Sequence, residues 1–75
     1  MKVSQLLHVM DKEDLISIED YNAPIDKMTI YEGAVRGIKR DDAINKMHVY
    51  GICAVNDTIC VLAEKPRARG ENYGV

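Results

Sequence analysis

Met47 to Ala63 reads MHVYGICAVNDTICVLA, two short apolar runs either side of Asn56-Asp57. Asn and Asp tolerate the positive φ of a tight hairpin turn, so these runs predict a pair of antiparallel strands. A two-residue loop, or a longer one from Val55 to Thr58, gives the same register: Ala54 opposite Ile59, Cys53 opposite Cys60 and Ile52 opposite Val61. Side chains alternate along a strand, which puts Ile52, Ala54, Ile59 and Val61 on one side. Val49, Cys53, Val55, Cys60 and Leu62 fall on the other. Both sides are apolar. A hairpin with one wet face would alternate with polar residues, so this one is expected to be covered twice, by the chain's own helix and by a partner surface.

Upstream, Val3, Leu6, Leu7 and Met10 recur at the spacing of one helical stripe, with Ser4 as the expected N-cap and Asp11-Lys12 as the stop. So short a helix must dock on a sheet to persist. Leu15 to Glu19 alternates, Ile16 and Ile18 against Ser17 and Glu19, and predicts a half-buried strand. Asp20 to Asp26, with Asn22 and Pro24, is a loop. Lys27 to Glu32 resumes the alternation, with Met28 and Ile30 inward and Thr29 and Tyr31 outward, and should pair antiparallel with the strand before it. Residues 33–46, GAVRGIKRDDAINK, are readable as helix or strand. Gly37 weakens the helix by about 1 kcal/mol, and the favoured reading is a bent strand or irregular turn followed by a short helical piece around Asp41 to Asn45. Residues 65–75 carry a proline, two glycines and few apolar groups, and are expected to be a flexible tail on a single domain spanning 1–64.

The predicted class is α+β, an N-terminal helix packed on an antiparallel sheet of about four strands. At 75 residues the core is near the size that leaves only about 3–5 kcal/mol of net stability, which favours oligomerisation. The 47% apolar and 29% charged composition is that of a soluble globular chain, and no apolar run approaches a membrane span. The start MKVSQLLHVMDKED lacks the apolar stretch of a signal peptide, so a cytoplasmic location is expected. A net charge of −2 argues against nonspecific nucleic-acid binding as the main activity.

Catalytic equipment is sparse. Cys53 and Cys60 are expected to be free thiols packed as small apolar groups, and His8 and His48 do not stand at zinc-site spacing. Neither Asp11, Glu13 and Asp14 nor Asp41-Asp42 has the spacing of a calcium loop, and Gly33 to Gly37 is not a phosphate-cradling loop. The expectation is therefore a protein that is not an enzyme and needs no cofactor or metal. Binding is better supported. Arg36, Lys39 and Arg40 cluster beside Gly33 and Gly37, with Tyr31 and Tyr50 as stacking surfaces, which suits an anionic nucleotide or an acidic protein surface. The interface set is Val49, Cys53, Val55, Cys60 and Leu62.

The order VSQLLHVMD, Ile16-Ser17-Ile18, Ile30-Tyr31-Glu32-Gly33, Val49-Tyr50-Gly51-Ile52 and Asp57 to Leu62 resembles small uncharacterised accessory proteins of phages and prophages of Gram-positive bacteria. The resemblance spans residues 1 to about 65. It implies a binder that blocks a host defence component in the host cytoplasm, by occluding a protein or by sequestering a nucleotide signal. Tyr31 to Gly37, Asp41 to Asn45 and Val49 to Gly51 also resemble the two motifs of the Sm-like RNA-binding barrel, which implies an alternative, a small Sm/SH3-like barrel that binds RNA. Against that family, the 20–26 loop is long, and Tyr50-Gly51 replaces its usual Arg-Gly.

Overall fold

In the computed structural model, which describes residues 1–66, the apolar hairpin forms in the expected register. Strand β3 (His48–Val55) turns through Asn56, at φ 56°, into β4 (Thr58–Glu64). Upstream lie helix α1 (Val3–Val9), β1 (Leu15–Asp20) and β2 (Thr29–Ala34). The fold is α+β, one helix on a four-stranded sheet in the order β2-β1-β4-β3.

The sheet is mixed. Both hairpins are antiparallel, but the central pair, β1 and β4, runs parallel from Leu15↔Thr58 to Asp20↔Ala63. The physical reason is that β1 and β4 are the richest in core-facing aliphatic residues and take the two inner positions, where each gains a ladder on both edges. Residues 35–47 must then travel back along the sheet before β3 can start, the dozen or so residues a crossover needs. This segment holds two 3-10 turns, Val35–Gly37 and Ala43–Lys46, with Asp42 capping the second through Ile44 N–H at 2.9 Å. The bent-turn reading is the observed one, although the strand stops at Ala34.

The crossover and α1 lie on one face. Val3, Val35, Ile44 and Met47 meet Ile16, Ile18, Val61 and Ala63 in the buried core, and Leu6, Leu7 and Met10 pack against it. The helix begins at the first residue of its stripe, ahead of the expected Ser4 cap. Val3 N–H donates to Met47 O at 2.8 Å, so the chain turns helical directly after Met1 and Lys2, which pair along the β3 edge; Lys2 takes the cap position, and Gln5 Oε1 accepts from Lys2 N–H at 2.7 Å. Ser4 therefore sits inside the helix.

Two bulges correct the strand alternation. Tyr31 pairs with Ile18 and Thr29 with Glu19, so Ile30 is the extra residue; Tyr31 turns onto the core and Ile30 is 38% exposed. Tyr50 is extra in β3, so Val49 pairs with Ala63 and packs on the core side, away from Cys53, Val55, Cys60 and Leu62. Nor does the sheet close into a barrel, since β2 and β3 are its two edges. Beyond Pro66, the expected flexible tail lies outside the described residues.

Candidate anion-binding groove

The α1–β1 connection is a tight turn, with Asp14 N–H donating to Asp11 O and Asp11 N–H to Asp14 Oδ2, each at 3.0 Å. The crossover is stitched to this turn: Val35 N–H donates to Asp14 O at 2.9 Å and Arg36 N–H to Lys12 O at 3.0 Å. Those two bonds bring Lys12 and Arg36 together from distant parts of the sequence. Farther along, Asn45 Nδ2 donates to the carbonyls of Lys39, Arg40 and Asp42 at 2.7, 3.1 and 3.1 Å, which fixes the turn that carries Arg40.

Between α1 and this segment lies a groove of about 440 Å³, in the size range of small-molecule sites. Its apolar lining comes from Leu7, Met10, Val35 and Ile38, and its polar lining includes His8, Lys12, Arg36 and Arg40. Arg36 Nη1 also meets Glu13 Oε2 at 3.2 Å. Both side chains are largely exposed, so that pair contributes no more than about 1 kcal/mol and leaves the guanidinium able to take a second anion.

Arg36 and Arg40 were legible from sequence and do share one groove. Lys39, also expected there, is exposed and does not line it. Tyr31 is not a stacking surface. Its hydroxyl donates to Ala34 O at 2.6 Å, and its ring stands over Gly33 and Gly37, in the space expected to admit a ligand. Gly33, at φ 154°, and Gly37 are small because the tyrosine lies against them.

Tyr50 belongs to another place. It stacks on Tyr21, centroids 4.1 Å apart and planes 23° from parallel. Tyr21 follows the end of β1 while Lys12 precedes its start, so the length of that strand, roughly 16 Å, separates them. A hydrogen bond with Tyr21 and that neighbour's charge, then desolvation and Glu64, push the Tyr50 phenol above its ordinary value.

Cys53 and Cys60 are free thiols on the opposite sheet face from the core. Sequence reasoning missed His8 and Lys12. Lys12 follows the helical stripe directly, but only the stitching to residue 36 gives it a role. Among the described residues no three His, Cys, Asp or Glu side chains gather as a metal site, and no helix is long and apolar enough to cross a membrane. Neither a family model, nor a curated protein, nor a solved structure matches this chain.

Proposed function

We propose that this is a non-enzymatic binding protein that holds a small phosphate-bearing anion, of the nucleotide class, in the groove between α1 and the crossover. The observation that carries this reading is the convergence of Lys12, Arg36 and Arg40 on one groove with an apolar lining. A nucleotide offers the matching pair of surfaces, charged oxygens for the guanidinium groups and a flat base for Leu7, Met10 and Ile38. Among the described residues no carboxylate or thiol lines the groove; Ser4 stands one helical turn from His8 there, but no acid lines the groove to orient that pair, which supports holding over turnover. The resemblance to phage accessory proteins supplies a setting: a protein made in excess in the host cytoplasm sequesters a nucleotide signal and so inhibits the defence component that reads it.

Isothermal titration at low salt with nucleoside mono-, di- and triphosphates, cyclic dinucleotides, inorganic phosphate and a short single-stranded RNA tests this. The expected result is binding of at least one nucleotide, weakened about tenfold or more by Arg40→Ala or Lys12→Ala, since a hydrogen bond to a charged group contributes about 1.5–3 kcal/mol. Binding confined to RNA with a steep salt dependence would transfer the assignment to the RNA-binding alternative. Heat from no nucleotide, or binding indifferent to both substitutions, would remove the reading.

A further inference from the structure

We propose that the open half of the β3 edge, Gly51 to Val55, pairs antiparallel with the same segment of a second copy, joining two sheets into one about a two-fold axis at Cys53. This stands apart from the ligand reading, because it uses the far edge of the sheet and none of the groove.

The two edges differ. On β2 the Ile30 bulge and Glu32 interrupt the edge, and both are devices that discourage strand addition. Along β3 only the first half is occupied: Val49 N–H donates to Met1 O at 2.8 Å and His48 bridges to Lys2. From Gly51 onward no described residue covers the edge, and the run Gly-Ile-Cys-Ala-Val carries no charge, lysine or proline. Ile52 and Val55 are 50% and 52% exposed. An uncharged strand meets no repulsion from its own copy, and the apolar groups beside it continue onto the copy's equivalent surface.

The register follows from the hairpin. A two-residue loop makes Val55 and Thr58 a hydrogen-bonded pair, and alternation then makes Cys53 and Cys60 another. Ile52 and Ala54 therefore turn both their N–H and C=O groups outward. Among two-fold antiparallel registers, the one centred on Cys53 satisfies both residues in both copies, Ile52 against Ala54 of the partner subunit and the reverse. It makes the two Cys53 residues a non-hydrogen-bonded pair, with Cα atoms about 4.5 Å apart, within reach of a disulfide.

The test uses the full chain, with light scattering for mass and Cys60→Ser protein for cross-linking, so that Cys53 is the one thiol. Diamide takes up the two hydrogens released as two Cys53 thiols join. Expected are a native mass twice the 8.4 kDa of the chain and a covalent dimer on non-reducing gels. Ile52→Lys and Ala54→Pro, the first a charge and the second a lost outward donor, should each return the mass to that of the monomer with the circular dichroism of the fold retained. A monomer persisting to about 1 mM, an affinity weaker than about 4 kcal/mol, would overturn the proposal. So would a dimer that ignores Ile52→Lys, or one that does not cross-link through Cys53.

Discussion

The two faces of this sheet are built by the same strands and share almost nothing else. On one, Ile16, Ile18, Val61 and Ala63 are fully buried beneath α1 and the crossover. On the other, register sets Glu32, Ser17, Cys60 and Cys53 in a single row across all four strands, of which the central Ser17 is buried and Cys60 half-buried while Glu32 and Cys53 at the edges are exposed. Topology makes the difference. A parallel central pair needs one crossover, and among the described residues the crossover and α1 both lie on one face. Even on the covered side the roof stops short of β3, where Ile52 is half exposed.

The sharpest way to break that comparison is to damage each face equally. Ile18→Ala should cost about 2–5 kcal/mol, comparable to the whole stability expected at this size, so most of the chain should be unfolded in urea-free buffer by circular dichroism. Val55→Thr, on the bare face, should move the urea midpoint by no more than about 0.5 kcal/mol equivalent. Equal losses would mean that the second face is covered after all.

The hairpin register, the helical stripe and the Ile16–Ile18 face were legible because each is a local period that one strand or helix imposes on its own residues. What escaped was set by distant partners. Nothing local marks Ile30 and Tyr50 as the extra residues of two bulges, yet those shifts turn Tyr31 inward and move Val49 to the core side. The parallel pairing of β1 with β4 is equally invisible to periodicity, since alternation is the same for either direction. The groove was half legible for the same reason. Arg36 and Arg40 stand together in sequence, whereas Lys12 reaches them through backbone bonds that no spacing encodes.

Where the covered face ends, Tyr31 and Gly37 sharpen the comparison at smaller scale. A Cβ at residue 37 would collide with the Tyr31 hydroxyl, which is held by Ala34 O. Gly37→Ala should therefore cost about 1–3 kcal/mol through overpacking and loss of that bond. Tyr31→Phe gives the methyl room, so in the double variant the two costs should fall short of additivity by more than about 0.5 kcal/mol. Additive losses in urea titrations would place the strain in the backbone. Asp42→Ala, which removes the cap on the second 3-10 turn, should cost about 1 kcal/mol by the same assay.

The smallest effect belongs to the bare face and concerns Cys60. Burial among its row, with Cys53 opposite as the next cause, raises its thiol above the ordinary value of 9.0. The folded state thus prefers the neutral thiol more than the unfolded chain does, so its contribution is complete below the unfolded pKa. As pH climbs through the folded pKa that contribution disappears. The urea midpoint should fall between neutral pH and pH above about 9 in the native chain, and the part due to this thiol should vanish in Cys60→Ser. Were the thiol fully solvated, only Cys53 and the charges of Glu19 and Glu32 would be left to raise it, so an identical pH profile in the two proteins would mean that neither burial nor those neighbours act on Cys60.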